Sequence, residues 1–484
     1  MTKSLFLSLF SFLLLFHAGC LTGQTEPVEA TLLGTWNKPG LVGSNSYNNT
    51  YNEIWGLAVG GREYAVIGST AGTHFVDVTD PTLPVEAAFV PGAAMGGQII
   101  HRDYHNYGCY LYAVADEGQS TLQIIDVSFL PDSVSVVYDS GERLRRAHNI
   151  FIDTAQARLY CLYALGGDGV RYPMRLFDIS NPVDPVYLAD YGSFGGLTTN
   201  AVHDAYVDNG QAFLNCGNGL AMVDFTDPLN PQTLGILRDY VFAGYNHSGW
   251  PANDGQHYYL ADETHGYPMK VLDISDPEDM MVVGTLSTPG PVMAQTIPHN
   301  QIVACNYFYV SYYYDGLQIY DIADPANPQL AYYYDTYSGA FDNNYRGAWG
   351  VYPFLPSGNV LVSDMQSGLF VLAGPGDTCS ERAASSLPCG LVNGTGEPAP
   401  AAATLQVYPQ PAREVLHIQW PQAVGSDEVS IYLRDLNGRL VHTFAPRLLD
   451  QPATELSLPR LPAGLYLLEV RGASGRVTTK IVIQ

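Results

Sequence analysis

The phrase VDVTDPTLP occupies residues 76–84, and related phrases recur along the chain. The copies begin at residues 125, 177, 223, 272 and 320 and read IDVSFLPDS, FDISNPVDP, VDFTDPLNP, LDISDPEDM and YDIADPANP. Their leading aspartates are 49, 52, 46, 49 and 48 residues apart: Asp77, Asp126, Asp178, Asp224, Asp273 and Asp321. We expect each Asp to accept backbone hydrogen bonds in a turn, while Pro ends the strand. A period of this size indicates one repeated supersecondary unit.

Each repeat reads as four short strands, for example HNIFID, RLYCLYAL, MRLFDIS and PVYLADY between residues 148 and 191. Four strands in nearly 50 residues are typical of a β-propeller blade. Seven first strands can be counted, but the seventh repeat ends without its fourth strand. The stretch ATLLGTW at residues 30–36 resembles the missing strand. We therefore predict an all-β, seven-bladed propeller over residues 30–373, closed by this N-terminal strand so that no edge stays open.

Composition, charge and the N-terminal sequence indicate a folded, exported protein. With 46% hydrophobic and 14% charged residues the chain is expected to fold, and its net charge of −25 disfavours binding to nucleic acid or anionic lipid. Residues 1–23 read as a secretion signal, with Lys3 followed by the apolar run SLFLSLFSFLLLF. No later stretch is long and apolar enough for a membrane helix. An exported protein without a transmembrane segment in the mature chain is predicted.

The cysteines are expected to divide into two groups. Cys379 and Cys389 lie in a Gly/Ser/Pro-rich stretch, residues 374–404, which reads as a linker, and a local Cys379–Cys389 disulfide is predicted there. The other four lie in or beside apolar strands and are predicted to be buried free thiols: Cys109, Cys161, Cys216 and Cys305.

An ordered set of short motifs within residues 32–372 resembles a known family. The motifs are IWG, AHNIFI, HDAYVD, NHSGW, PHNQ, GAWGVYPF and VSDMQSGLFVL. This set resembles the choice-of-anchor B family, which carries LVIVD-type propeller repeats. The resemblance implies a propeller joined to a cell-surface sorting tail and implies no particular biochemical activity.

Residues 405–484 form a separate region with alternating strands split by the turns DLNGR and GASGR. This pattern predicts a small β-sandwich. Its segments VYPQPAREVLHI, VSIYLRDLNGRLV and LPAGLYLLEVRGASGRVTTKIVIQ resemble the C-terminal sorting domain of the type IX secretion system, although Gln410 stands where Asn is usual. The resemblance implies that the tail engages the secretion machinery and is cleaved. The mature protein would then be secreted or held on the outer surface of a Gram-negative bacterium.

The first strand of each repeat begins with a histidine or a tryptophan. Because first strands line the channel of a propeller, these leaders are predicted to form a ring at one mouth: Trp55, His101, His148, His203, His247, His299 and Trp349. Asp116, Asp262 and Asp364 each follow a leader by 15 residues and are predicted to return to the same mouth. We therefore expect a ligand-binding mouth with imidazoles inside and carboxylates outside.

Two interpretations of the ring stay open at the level of sequence. The imidazoles could hydrogen-bond neighbouring blades and lock them together, since buried polar groups need partners. Alternatively His148, His203, His247 and His299 could bind Zn, Cu or non-haem Fe. No nucleophile elbow, phosphate loop or zinc-protease helix appears. The favoured hypothesis is a binding module for an unidentified carbohydrate or protein, and the alternative is a metal-dependent enzyme.

Overall fold

A computed structural model describes most of the chain in two units, residues 1–391 and 392–484. The described residues are 26–288, 295–377, 379, 381–382, 386–387, 389, 406–413, 415–419, 428–434, 440–448, 453–462, 464–472 and 475–484. The predicted secretion signal, residues 1–23, lies outside them, as do residues 390–404 of the predicted linker.

Seven antiparallel sheets of four or more strands occupy the described residues from Val28 to Leu372. We number them in chain order and give their strands from the innermost outwards. Sheet 1 contains Tyr51–Val59, Arg62–Ser69, Gly72–Asp77 and Val85–Pro91. Sheet 2 contains Arg102–Tyr107, Tyr110–Ala115, Leu122–Asp126 and Ser135–Ser140. Sheet 3 contains Asn149–Asp153, Arg158–Gly166, Arg171–Asp178 and Val186–Tyr191, with Leu144–Arg146 paired to its second strand.

The remaining four sheets continue the same order. Sheet 4 contains Asp204–Asp208, Gln211–Asn215, Leu220–Asp224 and Gln232–Leu237. Sheet 5 contains Asn246–Pro251, His257–Asp262, Met269–Asp273 and Met281–Leu286. Sheet 6 contains Gln301–Ala304, Tyr307–Ser311, Leu317–Asp321 and Gln329–Tyr334, with Val28–Glu29 added in parallel. Sheet 7 contains Ala348–Tyr352, Val360–Asp364, Gly368–Leu372 and Leu32–Trp36. Short additional elements are the hairpin Ser193–Phe194 with Leu197–Thr198 and the 3-10 turn Pro277–Asp279.

The inner strands of the seven sheets contact one another in a cycle, from sheet 1 through sheet 7 and back to sheet 1. Because the sheets stack face to face, an inner strand such as Ala348–Tyr352 is buried along its whole length. An outermost strand such as Met281–Leu286 instead alternates between exposed and half-buried residues. The all-β propeller fold is thus confirmed. As expected, the N-terminal strand Leu32–Trp36 supplies the fourth strand of sheet 7, pairing with Gly368–Leu372.

The repeated aspartates hold the turns between the third and fourth strands. In each copy the Asp carboxylate accepts the backbone N–H of the residue two positions later, over 2.7–2.9 Å. Such a bond replaces a strand-to-strand bond and lets the chain reverse. The repeat phrase therefore acts as predicted, as the turn between the third and fourth strands of sheets 1–6.

The predicted local disulfide between Cys379 and Cys389 is wrong. Cys379 is bonded to Cys305, and Cys389 is bonded to Cys109, 280 residues away in the sequence. Cys109 and Cys305 are therefore not free thiols, whereas Cys161 and Cys216 are free and buried, as expected. The spacing of cysteines along the chain could not reveal these pairs. Cys109 and Cys305 lie in turns of sheets 2 and 6, and only the folded propeller brings these turns close to Cys389 and Cys379 at one end of the channel.

The described residues between 377 and 389 form a strap against the propeller rather than the predicted linker. Ser386–Leu387 pairs in parallel with the end of the inner strand of sheet 1. Arg382 is only 3% exposed and donates to the Pro353 carbonyl and the Tyr309 hydroxyl. The strap thus contacts sheets 1, 2, 6 and 7 at the ends of their inner strands.

The C-terminal unit consists of two antiparallel sheets. One contains Gln406–Tyr408, Val415–Gln419 and Ala453–Ser457, and the other contains Glu428–Arg434, Leu440–Leu448, Gly464–Gly472 and Gly475–Ile483. Leu416 and Ile418 of the first sheet share a buried cluster with Ile431 and Leu468 of the second. This arrangement is the small β-sandwich that the sequence predicts. Nowhere in the described chain does a helix have the length and apolar character needed to cross a membrane.

Candidate functional site

Six aromatic side chains form a closed ring where the inner strands begin. Around the ring the centroids are 4.6, 4.3, 4.0, 4.8, 4.4 and 5.3 Å apart, in the order His101, His148, His203, His247, His299, Trp349 and back to His101. Each of these residues stands at or just before the start of an inner strand, and those strands meet in a cycle. The structure therefore brings together six of the seven predicted leaders.

Trp55, the seventh predicted leader, does not belong to the ring. The inner strand of sheet 1 begins at Tyr51, four residues before Trp55, so Trp55 lies deeper in the channel. Its indole donates to Asn106 Oδ1 over 2.8 Å and packs against His105 and Tyr352. The motif IWG resembles AWG of sheet 7, but the longer strand displaces it. Trp55 belongs instead to a lower aromatic layer: Trp55, His105, Phe151, Tyr206, Trp250 and Tyr352.

The Nδ1 atom of every ring histidine faces a hydrogen-bond acceptor. His101 faces Glu117 Oε1 at 2.5 Å, and His148 faces Asp116 Oδ2 at 3.1 Å. The other three acceptors belong to the following sheet or to the adjacent serine: the His247 carbonyl for His203, Ser248 Oγ for His247 and the Trp349 carbonyl for His299. In a neutral imidazole this pattern puts the proton on Nδ1 and the lone pair on Nε2.

The Nε2 atoms are the free ligand atoms of the ring. Within the described part of the chain, no hydrogen bond reaches Nε2 of these five histidines. Metal-binding histidines in proteins almost always donate their other N–H to a carboxylate or carbonyl, which fixes the tautomer and the ring orientation. The ring therefore has the hydrogen-bonding pattern of a set of metal ligands.

Most of the ring is uncharged at neutral pH. Burial, together with the charge of neighbouring imidazoles, lowers the pKa of His203 and His247 well below the usual histidine value. Burial lowers the pKa of His299 to about 3. For His148, burial also lowers the pKa, but the hydrogen bond and charge of Asp116 outweigh it, so that its pKa is raised. Neutral imidazole is the form that binds a metal ion.

The ring encloses a small polar cavity that is also lined by Glu53, Arg102, Asn149 and Asn300. Its volume is about 10 Å³, and a single water molecule needs about 10–15 Å³. The cavity therefore accommodates one ion or one water molecule. A sugar ring or a peptide side chain does not fit inside the ring of imidazoles.

Buried carboxyl groups lie just below the ring. Burial and the nearby charge of Asp204 raise the pKa of Glu53 to about 7. Burial and the charge of Glu53 raise the pKa of Asp103 well above its usual value, and burial raises that of Asp204 to about 6. A cation in the cavity would offset the cost of ionising such groups, since an opposite charge favours the ionised form.

The three predicted aspartates have different surroundings. Asp116 does reach the ring, where it binds His148 and Arg171. Asp262 does not: it is fully buried, pairs with Lys270 and accepts from Tyr240 at 2.7 Å. Asp364 pairs with Ala348 and so returns to the end of sheet 7 where Trp349 lies. Its carboxylate accepts from the Thr336 hydroxyl and from the amides of Gln366 and Ser367, so both oxygens are engaged outside the ring.

Two glutamates at the ring were missed. Glu117 and Glu263 follow His101 and His247 by 16 residues and come directly after Asp116 and Asp262. Glu263 Oε2 lies 3.7 Å from His247 Nε2, and its Oε1 accepts from Tyr313 at 2.8 Å. Glu117 and Glu263 lie just beyond the second strands Tyr110–Ala115 and His257–Asp262, where the chain turns at the mouth of the channel. The repeated dipeptide Asp-Glu was the signal that could have indicated both.

Groups of side chains with metal-ligand spacing occur on both sides of the ring. In each, one ligand atom per residue lies within 4.8 Å of the others: His101, Asp116 and His148 on one side, His247, Glu263 and His299 on the other. A third such group contains Cys305, Cys379 and Glu381. It is not a metal site, because the two cysteines form a disulfide.

Comparisons with known proteins identify both regions of the chain. Residues 406–484 match the secretion system C-terminal sorting domain, and residues 302–336 match the LVIVD repeat. The chain thus carries an LVIVD repeat in its propeller and a sorting domain at its end. No curated protein matches the chain. The sorting domain indicates interaction with the type IX secretion system, and hence a protein secreted from, or attached to the surface of, a Gram-negative bacterium.

Solved structures with a similar fold share little sequence with this chain. Periplasmic gluconolactonase PpgL of Pseudomonas aeruginosa is 10% identical, with 84% of this chain and 99% of that chain covered and a TM-score of 0.48. The C-terminal WD40 domain of Sif2 is 8% identical, with coverages of 73% and 100% and a TM-score of 0.47. The N-terminal domain of Nup159 is 11% identical, with coverages of 73% and 97% and a TM-score of 0.45. These likenesses concern the fold alone.

Proposed function

We propose that this protein is an exported binding module whose ligand site is the ring of five histidines and Trp349, and whose ligand is one transition-metal ion. One observation carries the proposal. Among the described residues, all five imidazoles use Nδ1 for hydrogen bonds and none uses Nε2, around a cavity of about 10 Å³. Neutral imidazole nitrogens oriented in this way suit Zn²⁺, Cu²⁺ or Fe²⁺.

A purely structural role explains only part of this arrangement. The bonds from His203 to the His247 carbonyl and from His299 to the Trp349 carbonyl do connect neighbouring sheets. Each of these bonds uses one of the two ring nitrogens. A side chain with a single donor would make the same connection, so the second, unbonded nitrogen on every ring favours metal binding over a hydrogen-bonded lock.

The size of the cavity bears on the earlier hypothesis of a carbohydrate or protein ligand. Such a ligand would have to lie outside the ring, against aromatic side chains such as Tyr245, which is 41% exposed and packs on His203. The ring itself would then contribute through a bound ion. Metal binding is therefore the first property to test.

A metal-dependent enzyme is the second candidate, and the position of Trp349 favours it. Its indole closes the ring between His299 and His101 but offers no lone pair to a metal ion. An ion held by the imidazoles would therefore receive no ligand atom from Trp349, which would leave a coordination position free. Catalytic metal sites, unlike structural ones, keep such a position for water or substrate.

Elemental analysis of the full chain, purified without a histidine tag and reloaded with Zn²⁺, Cu²⁺ or Co²⁺, tests the proposal. We expect about one equivalent of bound metal and a raised melting temperature, because a ligand that binds only the folded state stabilises it. His247→Ala should lower the affinity at least about tenfold. His257→Ala is the matched control, since His257 pairs with Asp254 away from the ring. A wild-type protein that binds less than about a tenth of an equivalent and shows no thermal shift would overturn the proposal.

A further inference from the structure

Acidic side chains approach the ring of histidines from two different sides. Asp116 and Glu117 face the Nδ1 atoms of His148 and His101, at 3.1 and 2.5 Å. Glu263 instead faces the Nε2 atom of His247, at 3.7 Å. An acid on Nδ1 orients the imidazole, whereas an acid on the Nε2 side lies where a metal ion would bind.

The separation between Glu263 and His247 suits two ligands of one ion. At 3.7 Å the two atoms are too far apart for a hydrogen bond. Ligand atoms about 2.1 Å from an ion lie roughly 3.0–3.5 Å from one another, so a small side-chain movement would bring both atoms to an ion between them. A ring nitrogen of His299 lies within 4.8 Å of both.

The Glu263 carboxylate is held in this orientation by its neighbours. The Tyr313 hydroxyl donates to Oε1 over 2.8 Å, which leaves Oε2 towards His247. Tyr313 is itself 1% exposed, and its backbone exchanges hydrogen bonds with Ala348 of sheet 7. The Glu263 amide also donates to the Tyr245 carbonyl at 2.9 Å. The carboxylate therefore needs little reorganisation to bind an ion.

On the opposite side of the ring, the described residues place no carboxylate in an equivalent position. Both oxygens of Asp116 are already engaged, Oδ2 by His148 and Oδ1 by Arg171 at 2.8 Å. An ion at that side would have to compete with the Arg171 guanidinium for the same carboxylate. The two candidate groups are therefore not equal, and the side with Glu263 is favoured.

We propose that Glu263 is a direct metal ligand together with His247 and His299, and that Tyr313 is a positioning residue for it. This inference rests on the proposed function, because His247 and His299 belong to the ring. Glu263 does not line the cavity inside the ring, so the ion would lie at the side of the ring formed by His247 and His299. Two imidazoles and a carboxylate favour a divalent ion of borderline hardness, such as Zn²⁺, Co²⁺ or Fe²⁺, over Cu(I), which prefers sulfur ligands.

Titration of the full chain with Co²⁺ tests the inference, because visible absorption bands of Co²⁺ respond to the atoms that bind it. Calorimetry and spectra are compared for the wild type, Glu263→Gln, Glu263→Asp and Tyr313→Phe. We expect Glu263→Gln to lower the affinity about 10- to 100-fold and to shift the Co²⁺ bands, since an amide replaces a charged ligand. Tyr313→Phe should lower the affinity less and keep the band positions.

Glu86→Gln is the matched control, because Glu86 pairs with the buried His74 through Nδ1, outside the ring. It should leave affinity and spectrum unchanged. If Glu263→Gln unfolds, Glu263→Asp still decides the question, since its shorter carboxylate should weaken binding while the charge is kept. A wild type that binds no Co²⁺ or Zn²⁺ overturns the proposed function. A wild type that binds, with Glu263→Gln unchanged in affinity and bands, overturns only the role of Glu263.

Discussion

The side-chain amide of Asn300 donates to Glu53 Oε2 over 2.8 Å, although the two residues are 247 positions apart in the sequence. The bond joins the inner strand of sheet 1 to the residue before the inner strand of sheet 6, and both residues line the cavity. Glu53 is therefore held from both sides, because its Oε1 also accepts the Ile54 amide at 3.0 Å. Gly350 of sheet 7 leaves the space that this carboxyl group occupies.

Gly350→Ala is predicted to destabilise the propeller through Glu53. A Cβ at position 350 would overlap Glu53 Oε1 and Ile54 Cγ2. Inserting a methyl group into such a packed site costs about 1–3 kcal/mol, measured as the free energy of unfolding in urea. The double variant Gly350→Ala/Glu53→Ala should lose less than the sum of the single variants, because one of the overlapping groups is gone. Strictly additive effects would show that the two residues do not share this space.

The same region shows what the sequence could predict and what it could not. Six of the seven leaders are visible in the sequence, because the repeat places a His or Trp at the same point of successive inner strands. The depth of Trp55 in the channel depends on where its strand begins. The strand Tyr51–Val59 begins four residues before Trp55, whereas the ring residues lie at or near the starts of their strands. Glu53, rather than Trp55, therefore lines the cavity.

Contacts between segments that are distant in the sequence could not be predicted either. Each turn aspartate accepts a hydrogen bond from a residue two positions later, so a bond such as the one from the Thr226 amide to Asp224 follows from the local sequence alone. The partners of Cys379 and Cys389 depend instead on which turns the closed ring brings to one end. Nothing in the ten-residue spacing of these two cysteines contains that information.

Asp116→Asn is predicted to lower the pKa of His148 in the metal-free protein. Burial lowers this pKa, and the hydrogen bond and charge of Asp116 raise it above the usual value. With a neutral asparagine in place of Asp116, the effect of burial is no longer offset and the pKa falls. The stabilisation from this pair is present below the unfolded pKa of His, about 6.5, and is lost as pH rises through the raised folded pKa. Titration of the His148 ring resonances by NMR measures the shift. Asp224→Asn, a remote turn variant, should leave those resonances unchanged.

Asp315→Asn is predicted to make the propeller more stable at pH 8 and to leave it nearly unchanged at pH 4. Burial raises the pKa of Asp315 to about 7, and its Oδ2 atom has no hydrogen-bond partner among the described residues. The folded state thus holds a proton that the unfolded state releases, so stability falls as pH rises between about 4 and 7. At 1.36 kcal/mol per pKa unit the gain at pH 8 is at most about 4 kcal/mol.

Urea unfolding at the two pH values measures this difference for the wild type and Asp315→Asn. The asparagine keeps the shape of the side chain and removes only the ionisable group. An equal change in stability at pH 4 and pH 8 would contradict the prediction, because it would indicate an effect of packing rather than of charge.

We predict that the two disulfides of the strap stabilise the propeller without altering the ring of histidines. Its disulfides join Cys379 to Cys305 and Cys389 to Cys109, at the ends of inner strands opposite the ring. Mass spectrometry of a non-reduced digest should find these two linked pairs and no peptide linking Cys379 to Cys389.

The double variant Cys305→Ser/Cys379→Ser should lose about 2–5 kcal/mol in the free energy of unfolding, the usual effect of removing a native disulfide. Its metal stoichiometry should match that of the wild type, because the described residues of the strap contact the ends of the inner strands, whereas the imidazoles lie at their starts. Loss of metal binding in this variant, with the fold intact by circular dichroism, would show that the two ends of the channel are coupled.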